Sequence, residues 1–492
     1  MSKKPNILFL FTDQQRPDSL GCYGSKEAIT PNIDALAKEG MVFDNCYVQN
    51  PLCCPSRYSI LSGMYPHEHG VISNWHAPKK SVESFGHALG RVGYSTSLIG
   101  KMHFTPWQDC FGFDGRIIAE AKFHTDCSDD YQRFLERHNT SREKLYDLLS
   151  DEYINNCTAV DSKVPKELHI DSFVGMSVME YLKKVDGPFC CFASFLSPHN
   201  PYDPPKEYKK MFEDAKLPRK VMEKNEIKNK PSEAYDYIND RLKWPFKTDE
   251  LTDRQIEGTK KNYYSLNTLI DDWIGEIINT LKQRGIYEDT IIIYSSDHGD
   301  LLGDHGLVYK QCFYEQSVKV PLIVCCPKRF KKGRSDALVE SLDLYKTIID
   351  MGCAEPTQKT HSKSLMPVLQ GERQHHREYV VSENYFGNMI RNKRFKMVYY
   401  KGKPYGELYD LINDHQEFVN LWDDEKYNAA KTDLKEKLLD WYAKTAETGL
   451  NPVRGNHFDK TPLEYEMKDG AANLIANQSW QLSFMREFYE SF

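Results

Sequence analysis

The chain has 492 residues, 40% of them hydrophobic and 27% charged, and Lys+Arg 64 against Asp+Glu 71 leaves a formal net charge of −7. Such a length supports roughly two to four domains, or one large α/β domain with an appendage, and needs no metal or disulfide staple to fold. The composition excludes a disordered or fibrous chain, the charge balance offers no bulk basic field for nucleic acid or an anionic membrane, and no run approaches the ~20 apolar residues of a spanning helix.

The chain opens with Met1-Ser-Lys-Lys-Pro-Asn-Ile-Leu-Phe-Leu-Phe-Thr-Asp13. Its apolar stretch is too short for a signal-peptide core and ends in an acid. As written, the protein is expected in the cytoplasm, or in the periplasm or the medium if a leader was trimmed. Residues 6–12 read instead as a β-strand, and the lack of polar alternation suits a parallel sheet covered on both faces. Residues 30–40 predict a short helix, with Pro31 near its start and Gly40 beyond its end. A second apolar strand at 188–194 leads into Ser197-Pro-His-Asn-Pro201. The clearest helix covers 253–284, where Leu266, Ile270, Ile274, Ile277 and Leu281 form one stripe and Gly285 supplies the stop. Residues 290–294 follow as a buried strand and end at Ser295-Ser-Asp-His-Gly299. In open parallel sheets, ligands bind beyond the carboxyl ends of the strands, and both Asp13 and Asp297 fall there.

Near residue 370 the character changes. A polar run, Gly371-Glu-Arg-Gln-His-His-Arg377, precedes short alternating segments at 379–382 and 395–400 and an amphipathic helix near 428–445. These predict a smaller C-terminal α+β domain over 371–492 beside a catalytic domain over 1–370. The last stretch, 457–492, carries Phe458, Tyr465, Trp480, Phe484, Phe488, Tyr489 and Phe492. An aromatic tail of this kind is expected to dock on its own body or on a second subunit, the latter making a homo-oligomer. The thirteen cysteines are odd in number and form no CxxC pair. Most read as small buried residues of a reducing compartment.

The adjacent Cys53 and Cys54 stand apart. Cys53-Cys54-Pro55-Ser56-Arg57-Tyr-Ser-Ile-Leu61-Ser62-Gly63 resembles the signature of the type I, formylglycine-dependent sulfatases, Cys-x-Pro-Ser-Arg followed by three residues and Leu-Thr/Ser-Gly. In that family the first cysteine, here Cys53, is oxidised to formylglycine by a maturation enzyme. The chemistry explains the need. A serine would be trapped as its own sulfate ester, whereas a hydrated aldehyde uses one hydroxyl to attack sulfur and the other to expel sulfate. The resemblance continues through Gly93-Tyr-Ser-Thr-Ser-Leu-Ile-Gly100-Lys101-Met-His103, Ser197-Pro-His199, Asp297-His298-Gly299 with Lys310, and Glu407-Leu-Tyr-Asp410 with Asn420-Leu421. It spans about residues 5–425, leaving 104–170, 205–250 and the tail unmatched. The fold it implies is alkaline-phosphatase-like: α/β, with a large, mostly parallel or mixed central sheet flanked by helices.

The same resemblance implies the site. Asp13, Gln14, Asp297, His298 and the converted Cys53 would hold one divalent metal, Ca²⁺ before Mn²⁺ or Mg²⁺, because hard oxygen donors dominate. Gln14 stands where a second aspartate is frequent and His298 where asparagine is frequent, which gives Mn²⁺ added weight. Gln14 either binds the metal directly or hydrogen-bonds from behind the ligands. Arg57 would hold the formylglycine hydroxyl. Lys101 and Lys310 would clamp sulfate oxygens. His103 would orient the diol or take its second proton, and His199 would contact sulfate or protonate the leaving oxygen. Asn74 and His76, just past the Leu-Ser-Gly turn, are weaker candidates for substrate contact.

The activity expected is hydrolysis of an organic sulfate monoester. A carbohydrate sulfate is favoured, partly because Trp75, Trp107, Phe111, Phe113 and Tyr202 are available to stack on sugar rings. The basic stretch 206–230 is interleaved with acids and reads as a solvated helical excursion rather than a polysaccharide track. Two rival readings remain: a phosphonate monoester or phosphodiester hydrolase with the same nucleophile, suggested by Gln14 and His298, and a non-catalytic binder of sulfated glycan. Retention of Cys53, Arg57, Lys101, His103, Asp297 and Lys310 argues against the second.

Overall fold

The computed structural model describes residues 4–446 except 123–128, 147–155, 157, 225, 227–229, 237–250 and 357, together with Val453–Arg454. The aromatic tail, the only part on which an oligomer was expected to rest, lies outside the described residues.

In chain order the strands of the main sheet and its surroundings are β1 (Asn6–Asp13), β2 (Met41–Tyr47), the two-residue β3 (His76–Ala77), β4 (Ser95–Gly100), β5 (Gly115–Ile118), β6 (Phe189–Pro198), β7 (Thr290–Ser296), β8 (Lys319–Cys325) and β9 (Gly333–Glu340). Eight of them form one sheet in the order β5-β4-β6-β1-β7-β8-β2-β9. Only β8 runs antiparallel to its neighbours; every other pairing in this sheet is parallel. β3 pairs instead with Val453–Arg454.

The unbroken apolar run of β1 has its reason in the two layers around it. Successive side chains of a strand point to opposite faces. Ile7, Phe9 and Phe11 enter one apolar layer and Leu8 and Leu10 the other. β7 divides in the same way, Ile291 and Ile293 against Ile292 and Tyr294. A strand covered on both faces has no position left for a polar residue until its end, where the acids appear.

Helices α1 (Pro31–Glu39), α2 (Cys53–Ser62), α3 (Ile170–Lys184), α4 (Asp253–Gln283) and α5 (Asp343–Met351) supply the layers. α1, α3 and α4 pack on the face of Leu8 and Leu10, while α2 and α5 pack on the other. The expected stripe of α4 is fully buried from Leu266 to Leu281, and each such side chain contributes about 1.5–3 kcal/mol by burial. Thr252 caps this helix by accepting from the Gln255 backbone N–H at 3.3 Å, and Gly285 beyond its end sits at φ 69°. The strand expected at 188–194 is longer, running to Pro198. The buried Asp171 carboxylate accepts from the backbone N–H of Leu196 at 2.7 Å and Ser197 at 3.1 Å, so the polar continuation stays ordered.

A second, antiparallel sheet follows, made of β10 (Val380–Glu383), β11 (Gly387–Arg391), β12 (Phe395–Tyr400) and β13 (Gly406–Asp410). Val381, Ile390, Met397 and Leu408 pack with Leu434 and Trp441 of α6 (Asn428–Thr445), and with Tyr65 and Leu342 of the main body. This is the α+β unit that the sequence pattern anticipated. The described cysteines are all free thiols, and Cys46, Cys190, Cys191 and Cys325 lie in the core.

Candidate active site

β1 and β7 are parallel neighbours with Thr12 opposite Ser296, so Asp13 and Asp297 leave the sheet side by side. Both are fully buried. Cys53 is the first residue of α2 and Arg57 lies one turn further on the same helix face. Arg57 joins the two carboxylates, with Nε 2.9 Å from Asp297 Oδ2 and Nη2 3.1 Å from Asp13 Oδ2. Its Nη1 donates to Ser194 Oγ at 2.9 Å and to the Lys101 carbonyl. The start of α2 is held by Ser56 Oγ, which donates to the Asp297 carbonyl at 2.6 Å, and by Asn74 Oδ1, which accepts from the Cys54 backbone N–H at 3.1 Å.

Four side chains converge. Asp13, Cys53, Asp297 and His298 each present one donor atom, all within 4.8 Å of one another. Cys53 Sγ lies 3.2 Å from His298 Nε2 and 3.8 Å from Asp13 Oδ1. His298 Nε2 is 3.6 Å from Asp297 Oδ1 and 3.8 Å from Asp13 Oδ1. His298 Nδ1–H donates to the Gly299 carbonyl at 2.9 Å. Burial, against the pull of Asp297 and with the help of Lys310, holds the ring below the ordinary histidine value and so neutral. A neutral ring protonated at Nδ1 presents a bare Nε2, which is the state a metal requires. Two carboxylates, this nitrogen and an oxygen-bearing residue at position 53 therefore fit a divalent cation.

The remaining predicted residues surround this group. Lys101 Nζ is 2.7 Å from Asp13 Oδ2; burial works against its charge, but Asp13 raises its pKa. Burial works against ionisation of Asp13 too, yet Lys101, Arg57 and Lys310 hold its carboxyl well below the usual range. Lys101 directly follows Gly100, whose φ is 97°. A Cβ at Gly100 would overlap the Ser194 backbone carbonyl, so only glycine lets β4 deliver the lysine there. Burial and Asp13 push the Cys53 thiol up to about 11. Burial, Lys310 and Lys101 keep His199 neutral. Its Nδ1–H donates to the Asn200 carbonyl at 2.5 Å, leaving Nε2 to accept a proton.

Gln14 has a left-handed backbone, φ 71°. Its Oε1 accepts from Lys310 Nζ, and its Nε2 donates to Asp300 and, at 3.3 Å, to Tyr202 Oη. His103 is also left-handed, φ 59°. Its N–H donates to Glu120 Oε2 at 2.8 Å and its carbonyl accepts from Cys54 Sγ at 2.9 Å. Asn74 spends its amide oxygen on the cap of α2, and His76 Nδ1 bonds Ser73 Oγ at 2.6 Å. Both hold the loop locally.

The aromatic platform expected from the sequence forms only in part. Phe111, Phe113 and Tyr202 are buried, so they cannot stack on a sugar ring; Trp75 is 52% exposed and Trp107 half-buried. Tyr202 Oη instead donates to Asp300 at 2.6 Å. The basic stretch is paired in part: Lys209 with Asp161, Lys220 with Asp253, and a buried Lys230 with Glu226. Lys228 lies outside the described residues. Glu120, Ser194 and Asp300 were not foreseen. Glu120 falls where the sequence shows no motif, whereas Asp300, next to His298-Gly299, was within reach.

Residues 5–352 match the sulfatase family model, and residues 303–444 match that of the C-terminal part of N-sulphoglucosamine sulphohydrolase. The chain is 29% identical over 469 residues to an arylsulfatase of Clostridium perfringens, covering 89% of this chain and 94% of the relative. It is 26% identical over 511 residues to an N-acetylglucosamine-6-O-sulfatase of Bacteroides thetaiotaomicron, covering 89% and 86%. Its fold is shared by the phosphonate monoester hydrolase of Agrobacterium radiobacter, with a TM-score of 0.78 at 24% identity over 92% of this chain and 99% of that one. A family match over more than half of the chain, on a sheet whose strand ends carry the motif residues to one point, makes this protein a member of the sulfatase family and a sulfuric ester hydrolase.

Proposed function

We propose that the protein hydrolyses the sulfate monoester of a carbohydrate, with formylglycine made from Cys53 by a maturation enzyme as the nucleophile. Family membership implies the formylglycine and a divalent cation. The observation that carries the reading is the meeting of Cys53 with Asp13, Asp297 and His298 inside a ring of Arg57, Lys101 and Lys310. The sugar is supported by the kinship with a carbohydrate sulfatase.

Asp13, Asp297 and His298 would hold the cation, with Ca²⁺ favoured by the carboxylates and Mn²⁺ next because of the imidazole nitrogen. When bound, it supplies positive charge against sulfate oxygens and lowers the pKa of the aldehyde hydrate. The chain's own residues do the rest. Arg57 is fixed by two carboxylates and offers its charge beside residue 53. Lys101 and Lys310 flank the position of the sulfate and stabilise the charge that develops on it. His199 and His103 stand on the facing segments; His199, neutral with a bare Nε2, is placed to accept a proton. An unconverted Cys53, neutral at physiological pH, would be a poor nucleophile. The second sheet, beginning at Val380, supports a division into a catalytic domain over 1–370 and an α+β domain over 371–492.

Release of sulfate from a panel of defined sulfated mono- and disaccharides tests the reading, with protein co-produced with a maturation enzyme and a Cys53→Ala control. Equal rates for the two proteins would sink the nucleophile assignment. Gln14 and His298 favour one second reading, a phosphonate monoester or phosphodiester hydrolase. Parallel kinetics on aryl sulfate and aryl phosphonate esters decide between them, and a phosphonate preference of several orders of magnitude would replace the first reading.

A further inference from the structure

The stretch 104–170 carries none of the signature segments, yet it supplies a fully buried cation that the hydrolytic residues leave unused. Lys122 is 0% exposed. Its Nζ donates to the Pro201 carbonyl at 3.0 Å and pairs with the Asp203 carboxylate, which is buried as well. An ammonium taken out of water is costly unless it is paired and hydrogen-bonded. Two apolar side chains of similar volume would serve stability as well as such a pair, so its meaning lies in what it holds.

What it holds is the loop of His199. Pro198 lies opposite Asp13 in the pairing of β6 with β1, so His199, the next residue, leaves the strand at the edge of the metal group. Between Ser197 and Asp203 the chain has two prolines, Pro198 and Pro201, with no N–H to bond. The loop is therefore held from outside. Asp171 fixes its start through Leu196 and Ser197 N–H. Near its end, Tyr202 N–H donates to the Thr158 carbonyl at 2.9 Å, and the Tyr202 carbonyl accepts from Val160 N–H at 3.1 Å and Asn262 Nδ2 at 2.7 Å. Lys122 takes the carbonyl in between, that of Pro201. The His199 ring is oriented by the adjoining peptide, since its Nδ1–H donates to the Asn200 carbonyl. The Pro201 ring locks φ, so a single soft torsion separates the carbonyl that Lys122 grips from the one that aims the imidazole.

We infer that Lys122, paired with Asp203, is a positioning residue: by holding the Pro201 carbonyl it fixes the peptide on which the His199 imidazole is oriented toward the site. It acts through His199 and not on the substrate. The inference rests on the part given to His199 in the hydrolysis above, and is independent of whether the substrate is a sugar.

The test uses the full, converted enzyme with 4-nitrophenyl sulfate and N-acetylglucosamine 6-sulfate. Lys122→Met alone would leave Asp203 buried with only His169, 4.0 Å away, as a charge partner, so Lys122→Met/Asp203→Asn, which removes both charges, is measured beside it. In the double variant kcat should fall about ten- to a hundredfold with KM little changed, the mark of a misplaced group rather than a lost binding contact. Metal content should match the wild type. Added to His199→Ala, the same two changes should lower kcat little further, because the ring they misplace is already gone. The inference fails if either variant, folded by circular dichroism, keeps the wild-type kcat, which would confine the pair to stability. It fails equally if the loss multiplies in full with that of His199→Ala, which would send the effect through another residue. If His199→Ala itself keeps the wild-type kcat, the part given to His199 has failed and the positioning role goes with it.

Discussion

Arg57 settles a conflict that the two aspartates create. Asp13 and Asp297 are buried side by side, and like charges at that separation repel strongly in a medium of low polarity. A guanidinium bonding both at 2.9–3.1 Å offsets this before any cation binds. Lysine has one point charge and cannot span both carboxylates. Arg57→Lys should therefore lower kcat/KM by about 10²–10³ and reduce the metal retained after dialysis, measured by elemental analysis. Wild-type metal content in that variant would confine the arginine's role to catalysis. Glu120 works at one remove. Its two oxygens accept from the backbone N–H groups of Met102 and His103, at 3.2 and 2.8 Å. Glu120→Gln turns one acceptor into a donor facing a donor, and kcat/KM should fall roughly tenfold. Since the lesion is in placement of the Lys101–His103 turn, His103→Ala should add little to it in a double-mutant cycle.

Among the elements, the short helix Pro66–His69 is the joint between the main body and the second sheet. His67 Nδ1 lies 2.7 Å from Glu383 Oε1 at the end of β10, and its Nε2 bonds Thr445 of α6. Burial opposes the imidazolium, but Glu383 raises its pKa above the ordinary 6.5. A histidine whose folded value is raised contributes stability in full below its unfolded value, and this is lost as pH rises through the folded value. The melting temperature of the wild type should exceed that of His67→Gln most clearly below pH 6.5, by about 1 kcal/mol of stability, and the gap should close on the alkaline side. A gap independent of pH would mean that stacking on Tyr442 and the edge contact with Trp441, not charge, carry the contact. Helix α4, by contrast, depends on nothing so local. Its stripe and its cap are legible in the residues themselves, and the helix lies where they place it.

At the scale of the whole molecule, a buried charge network ties the two sheets together. Arg377, just ahead of β10, bonds Glu340 at the end of β9 at 3.0 Å and Asp343 at the start of α5 at 2.7 Å. Glu340 also accepts from Val381 N–H at 2.7 Å and from Tyr65 Oη at 2.7 Å. Removing the guanidinium would leave two buried carboxylates with only His376, 2.9 Å from Asp343, and neutral donors against them. Arg377→Ala should cost about 3–5 kcal/mol, read from the denaturant midpoint. A loss below about 1 kcal/mol would show that water enters and solvates the acids.

The amino-acid order alone determined the double-sided sheet, the helices at 30–40, 253–284 and 428–445, and the motif that carries the proposed nucleophile. Each of these is encoded by neighbours: apolar periodicity, caps, and one contiguous motif from Cys53 to Gly63. It also put Asp13 and Asp297 at strand ends, although only the parallel pairing of β1 with β7 makes them touch. Tertiary structure decided the rest. Phe111, Phe113 and Tyr202 look like loop aromatics in sequence and turn out to be core, because burial depends on what other segments cover. Glu120 leaves no local trace for a similar reason. Its partners are Met102 and His103, and no pattern in a single segment records a contact made with a distant one.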